Sequence, residues 1–361
     1  MTQEMQEIRS LARQFAAAEL RPHNERWDAE RTLDDDVVAK VAELGFFGML
    51  VQEADGGMGF DMAVYAAALE ELAWGEPALA LLVAHSTIAA DLIARHGSAA
   101  QRQEWVGPLA AGEAIGCIAF AEDEGTVEPA SLKTRAERLG DDGWHVKGRK
   151  PWVTNGDRAD HAIVLAAAED GAALFVVPRA TGFATVSRAD TMGFRPVSLV
   201  DLEIDARLEA KHRLGTAGDP AGDDDIVGRI SAAAIAIGIA QAALDHAVRY
   251  AGEREQFGQP IRNFDGMKHK LAVMATRTAA ARALLEYAAV RPGDAVAAAM
   301  AKLEAAGCAM YVTTEAVQVF GGYGYMRDYP VEKLMRDAKA TEIMHGSSET
   351  LRRRVAEALY A

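Results

Sequence analysis

Apolar and polar positions repeat with two different periods along this chain, and the change of period divides it. Over residues 1 to about 115 the repeat is helical: Ile8, Leu11 and Phe15 recur at three- and four-residue spacing and give one apolar face. Asp34 to Asp36 are placed to cap the next segment, whose Val37, Val38, Val41 and Leu44 run up to Gly45. MAVYAAALEELAW and LALLVAHSTIAADLIARHG, separated by Gly75 and Pro77, suit buried helices, and AAQRQEWVGPLAAGE a shorter, more exposed one. Near Ile115 the period shortens to two. TRAERL, the turn DDG and then WHVKGRK form a hairpin signal, and HAIVLAAA, EDG, AALFVVP repeats it. Pro151, Pro178, Gly182 and Pro196 exclude a long helix there.

From Asp223 the helical period returns. GRISAAAIAIGIAQAALDHAVRYAGEREQ is apolar on nearly all sides, as a helix buried in a bundle must be. FDGMKHKLAVMATRTAAARALLEYAAV and DAVAAAMAKLEAAGCAMYVTTEAVQVF are its antiparallel neighbours, with Arg291-Pro292-Gly293 breaking the chain between them. Shorter helices around VEKLMRDAKATEI and SETLRRRVAEALY close the bundle. The expected fold class is α+β, mostly α. It comprises an N-terminal α-helical domain (1–115), a small middle β domain (116–214; barrel or sandwich) and a C-terminal α-helical bundle (222–361).

Composition narrows the function classes. Half of the 361 residues are hydrophobic and 25 % charged, the balance of a globular chain rather than a disordered one. A net charge of -15 argues against a nucleic-acid partner, which needs a basic face, but leaves room for an anionic small ligand held by local arginines. Cys117 and Cys308 are the only cysteines and have no CxxC spacing, so neither a disulfide framework nor a metal site is expected. The start MTQEMQEIRS lacks a basic region followed by an apolar run, so no secretory signal is expected. No run of roughly 18 uncharged apolar residues is found, so no membrane span is expected either. A cytoplasmic location follows as the expectation.

The candidate chemistry sits in four stretches. GRKPWVTNGDRAD holds a strand followed by an Asn-Gly turn. In YAGEREQFGQPIRNF, Arg254 offers a planar cation suited to phosphate oxygens and Phe257 an aromatic face. In EAVQVFGGYGYMRDYPVEKLMRDAK, Gln318 can bond a phosphate or ribose, and Gly321 and Gly322 let a backbone approach a ligand with no Cβ in the way. GSSETLRR opens the last helix. Taken singly, these read equally well as a turn, a solvated helix end, and a helix C-cap. Taken together, in this order and with LGFFGMLVQEADGGMGFD upstream, they resemble the acyl-CoA dehydrogenases over nearly the whole chain.

That resemblance implies an FAD-dependent flavoprotein oxidoreductase of lipid metabolism, acting on an acyl-CoA or related thioester. Electron transfer flavoprotein is the implied acceptor, and the implied assembly is a homotetramer, or a heterotetramer with a paralogue. Trp152 would cover the flavin ring and Thr154 hydrogen-bond its polar edge, with Val153 between them also in the cofactor site. Arg254, Phe257, Gln318 and Gly322 would contact the FAD of a neighbouring subunit, Gln256, Gly321, Ser347 and Glu349 would complete the cofactor site, and Arg229 would touch substrate.

The resemblance fails where the chemistry belongs. Removal of the Cα proton needs a positioned base, usually glutamate, on the loop before the last helix. This chain has His345 at that position. A minority of the family carries the base one residue before the arginine matched by Arg229, and there this chain has Gly228. The loop AEDEGTVEPAS also departs. Ala121 stands for the flavin-bonding threonine and Val127 for the serine of the CoA arm, while Glu122, Asp123, Glu124 and Glu128, with Pro129, make the loop hostile to an anionic CoA tail. Imidazole is a competent base near neutral pH, so His345 is the candidate catalytic residue. Three readings follow: a dehydrogenase with a histidine base, a non-catalytic subunit that lends residues to an intact paralogue, and a flavin-dependent monooxygenase or oxidase on the same fold.

Overall fold

The computed structural model describes residues 2–122, 131–140, 143–215 and 225–360. Its first part is helical, with α1 (Gln3–Phe15), a helix at Asp35–Glu43, α2 (Met62–Gly75) and α3 (Pro77–His96). Asp34 stands at the N-cap of the Asp35–Glu43 helix but makes no capping bond. Its carboxylate is taken by Arg26 instead, whose hydrogen bond holds it at a pKa of about 2. The segment expected to be more exposed, around AAQRQEWVGPLAAGE, buries Trp105, Val106, Leu109 and Ala110 against α3. Glu104 and Glu113 are exposed, while the bulky Trp105, Val106 and Leu109 are all buried.

The middle region is a mixed sheet of β1 (Gly116–Ala119), β2 (Arg135–Arg138), β3 (Gly143–Thr154), β4 (His161–Ala168), β5 (Gly171–Pro178), β6 (Phe183–Arg188), β7 (Leu199–Glu209) and β8 (Arg213–Leu214). The order is β6-β7-β3-β2-β4-β5-β8, with β1 parallel to β4. Both expected hairpins form: β2 pairs antiparallel with β3, and β4 with β5 from His161↔Pro178 to Ala168↔Gly171. β4 shows why a continuous apolar run is a strand here. Successive side chains point to opposite faces, so Ala162, Val164 and Ala166 enter a core inside the sheet while Ile163 and Leu165 face the helices. β5 divides in the same way, with Phe175 and Val177 inward and Leu174 and Val176 toward the helices.

The last part is a bundle of α4 (Ile226–Glu253), α5 (Asp265–Ala289), α6 (Ala295–Phe320), α7 (Pro330–Thr341) and α8 (Ser348–Leu359). α4 is its centre and packs against α2, α5, α6 and α7. Alanine dominates the buried positions of α4 and α6, so the helices approach closely and buried area accumulates from many small side chains.

The expectation that no segment could span a bilayer is corrected. Among the described residues, Pro77–His96, Ile226–Glu253 and Ala295–Tyr325 are long and apolar enough to cross a membrane by length and composition. Each tolerates a charge or two inside its apolar window, which a search for uncharged runs passes over. In the fold 83 %, 89 % and 56 % of those windows are buried inside the protein.

Candidate active site

The loop between α7 and α8 carries His345, and it is fixed from several sides. The His345 backbone is left-handed at φ 54° and Gly346 follows at φ 101°. From below, the Lys302 ammonium on α6 donates to the Gly346 carbonyl at 2.6 Å. Lys302 is fully buried, and desolvation, aided by the charge of Arg229 and opposed by Glu342, brings its pKa down to about 8. Ser347 caps α8 by accepting from the Thr350 amide, and the Ser348 amide closes the loop onto the Glu342 carbonyl.

The His345 ring, 9 % exposed, turns toward the start of α4. Its Nδ1 lies 2.7 Å from Asp225 Oδ2. Asp225 Oδ1 in turn accepts the Gly228 amide at 3.1 Å, capping α4. Burial would raise the Asp225 carboxyl, but the charge and hydrogen bond of His345, with Arg229 and His85, outweigh it and hold the pKa below the usual carboxylate range. A Cβ on Gly228 would stand 2.2 Å from His345 Nδ1 and 2.1 Å from Asp225 Oδ1. So the imidazole occupies the space that a side chain at position 228 would need. Arg229, buried, follows on the same turn of α4.

His85 on α3 closes the other side, its ring centroid 5.2 Å from that of His345. Desolvation, with the nearby charge of His345, depresses its pKa to about 3. α3 also links this corner to the middle sheet. One turn before His85, the Leu82 carbonyl accepts the Asn155 side-chain amide at 3.1 Å.

The WVTNG strand end is irregular. Pro151 and Trp152 on β3 oppose the single Asp201 on β7, a β-bulge that puts Trp152 at φ 61° and leaves it 56 % exposed. Val153 points into the inter-strand core, so only its main chain faces outward, and Thr154 is 6 % exposed. Glu122 is not a free acidic wall. It is buried at 2 % exposure and paired with the fully buried Lys150 at 2.6 Å, which removes its charge from any approaching anion. Asp123, Glu124, Val127, Glu128 and Pro129 lie outside the described residues.

The third cluster is at the far end of the bundle. α4 ends at Glu253, and a small hairpin pairs Glu255–Gln256 with Gln259–Pro260. Its tip, Phe257 and Gly258, is left-handed at φ 52° and 78°, and Phe257 projects 92 % exposed. The Arg254 guanidinium lies 5.8 Å from the Tyr323 ring, which joins this hairpin to the GGYGY turn after α6. Gln318 is exposed there, and hypothetical Cβ atoms on Gly321 and Gly322 would meet no protein atom within 4 Å. The missing side chains therefore leave open space rather than relieve a clash. Gln256 spends its amide on the Glu255 carbonyl, and Glu349 is exposed on the first turn of α8.

The structure thus joins His345 to Gly228 and Arg229, and Arg254 to the glycine turn. It keeps those two groups apart and places Trp152 to Thr154 on a third element. Sequence reasoning missed Asp225, His85 and Lys302. Asp225 carried a signal as the last residue of an Asp run ahead of an apolar helix, the mark of an N-cap. His85 and Lys302 carried none.

The α-β-α order alone does not fix a function; the comparisons with known proteins define the class. Residues 2–113, 117–206 and 226–360 match the N-terminal, middle and C-terminal domain models of acyl-CoA dehydrogenase. An acyl-CoA dehydrogenase of Bacillus subtilis is 36 % identical, with 98 % of this chain and 97 % of that protein covered. Butyryl-CoA dehydrogenase from Megasphaera elsdenii superposes with a TM-score of 0.96 at 34 % identity, covering 100 % and 99 % of the two chains. A glutaryl-CoA dehydrogenase from Mycobacterium smegmatis in complex with FADH2 gives 0.93 at 28 %, covering 99 % and 95 %. This chain belongs to the acyl-CoA dehydrogenase family of flavoprotein oxidoreductases.

Proposed function

We propose that this chain is an FAD-dependent dehydrogenase that desaturates an acyl thioester between Cα and Cβ, with His345 as the base for the Cα proton. One observation carries the reading. The two positions where relatives place a glutamate base, 345 and 228, meet in space here, and the His345 imidazole fills the volume that Gly228 leaves. A side chain that merely decayed would have no reason to sit there with its ring held.

The exposed residues suit FAD. Open space over Gly321 and Gly322, the Arg254 guanidinium beside them and the projecting Phe257 make a face ready for a phosphate-bearing aromatic ligand. Gln256 and Gln318 flank it. Trp152 on its bulge, with the main chain of Val153 and the Thr154 hydroxyl, would border the isoalloxazine, and Ser347 and Glu349 the loop side. Bound there, FAD supplies the hydride acceptor. Arg229 would orient the thioester beside His345. The cofactor is proposed to be shared between subunits of a homotetramer, or of a heterotetramer with a paralogue. We further propose electron transfer flavoprotein as acceptor, a cytoplasmic location, and working units of 1–115, 116–214 and 222–361.

Anaerobic stopped-flow bleaching of the flavin with an acyl-CoA panel, starting at butyryl-CoA, tests the reading. His345→Ala should slow bleaching roughly 100-fold or more, the scale of a lost general base. Bleaching by wild type that His345→Ala leaves untouched sinks the base assignment. A wild type that no acyl-CoA bleaches, but that completes an active heteromer with a paralogue, points to the lending-subunit reading instead.

A further inference from the structure

We infer that Asp225 is a positioning residue for His345, forming with it a carboxylate–imidazole dyad that Gly228 makes room for. The inference rests on the base reading above and adds the group that would make the base work.

The carboxylate can only accept, so the 2.7 Å contact requires the proton on His345 Nδ1. Nε2 is then the nitrogen with a free lone pair. When the Cα–H bond breaks and its proton moves to Nε2, the imidazolium that forms faces Asp225 directly. Its positive charge is offset without any rearrangement. Asp225 is itself held, because its other oxygen accepts the Gly228 amide in the first turn of α4. The dyad therefore has one fixed end on a 28-residue helix and the other on a loop pinned by Lys302. Any side chain at 228 would meet both partners at 2.1–2.2 Å. Glycine at 228, aspartate at 225 and histidine at 345 are thus one arrangement rather than three separate departures from the family pattern.

The other titratable groups around the ring do not compete for this role. His85 from α3 makes no hydrogen bond through either ring nitrogen among the described residues and stays neutral at physiological pH. Arg229 on α4 acts on the Asp225 carboxyl in the same direction as His345, and Lys302 on α6 donates to the Gly346 carbonyl, so Asp225 is the acid facing the ring nitrogen. Glu342 and Glu349, on the loop and on α8, act on Lys302.

Asp225→Asn is the test. Asparagine keeps an oxygen to accept the Gly228 amide, so the cap survives. Toward His345, however, it can present an N–H, which forces the ring proton to Nε2 and removes the base. Flavin reduction by acyl-CoA should fall roughly 100- to 10,000-fold, the upper end being the loss seen when a triad carboxylate becomes an amide. FAD content and acyl-CoA affinity should stay near wild type. Independently of turnover, 15N-histidine NMR at neutral pH should show His345 as the Nδ1–H tautomer in wild type and Nε2–H in Asp225→Asn. The resonance is identified by its loss in His345→Gln. If His345→Ala abolishes reduction while Asp225→Asn leaves the rate and the ring tautomer unchanged, the dyad is overturned and the base stands. If His345→Ala has no effect, the base reading falls and the tautomer alone judges the dyad. Should Asp225→Asn not fold, the wild-type spectrum decides: Nδ1–H supports the dyad, Nε2–H overturns it.

Discussion

Gly228→Ala is a one-carbon test of how tightly the His345 corner is built. In an ordinary helix this exchange stabilises, by about 0.5–1 kcal/mol, because alanine has less backbone freedom to lose. Here the new methyl would stand 2.2 Å from His345 Nδ1, 2.1 Å from Asp225 Oδ1 and 2.7 Å from Asp225 Cγ. Neither neighbour can easily retreat. Asp225 is bonded to the helix turn that carries the methyl, and His345 sits at φ 54° on a loop tied to Lys302. Overpacking of this kind costs about 1–3 kcal/mol. Moving the ring off Asp225 would add the loss of a charge-assisted hydrogen bond, about 1.5–3 kcal/mol. The losses exceed the helix gain, so the denaturation midpoint should fall and flavin reduction by acyl-CoA should drop by roughly the 100-fold of a displaced base. Gly307→Ala is the control. It lies in α6 with open space where its Cβ would go, and should raise the midpoint slightly. A Gly228→Ala protein that reduces its flavin at the wild-type rate would refute the claim that His345 must occupy that volume to act.

Arg254→Ala should weaken FAD retention by about 1.5–3 kcal/mol, or roughly 10- to 150-fold in Kd, if its guanidinium serves phosphate oxygens; equilibrium dialysis reads this directly, and unchanged affinity would place the phosphates elsewhere. His85 predicts a pH slope. Its folded pKa, about 3, lies below the unfolded value near 6.5, so the unfolded chain binds the extra proton between them. That contribution to stability is complete above pH ~6.5 and is lost at up to about 1.4 kcal/mol per pH unit as the pH falls. Denaturation at pH 5, 6 and 7 should show His85→Phe with a slope shallower by close to one proton near pH 5, shrinking to about a quarter of a proton at pH 7.

The fold was legible because its elements use their whole surface. α4 is apolar on nearly all sides and β4 is a continuous apolar run, and both patterns have few solutions in a chain of this size. Turn chemistry at Glu169-Asp170-Gly171 and at Arg291-Pro292-Gly293 then set the ends. His345 was legible by its place before the last helix and Gly228 by its place before Arg229. Their meeting was not, because 117 residues of chain separate them and only tertiary packing brings them together. Asp225 was hidden by its own neighbours, since Asp223, Asp224 and Asp225 look alike in sequence and nothing in the pattern singles out Asp225 as the cap of α4. Glu122 was misjudged for a related reason. A run of acidic residues reads as one charged surface, yet its first member turns inward to Lys150.

α6 holds the Gly346 carbonyl through Lys302 and carries Gln318 sixteen residues further on. At 1.5 Å per residue those two points are about 24 Å apart along a straight rod. Such a strut cannot bring both ends to one small ligand. With a cofactor shared between subunits, its two ends would belong to different pockets, and its length would set how far apart those pockets stand. The distance between those two ends would then follow from the rise of α6, and inserting one turn would lengthen it by about 5.4 Å.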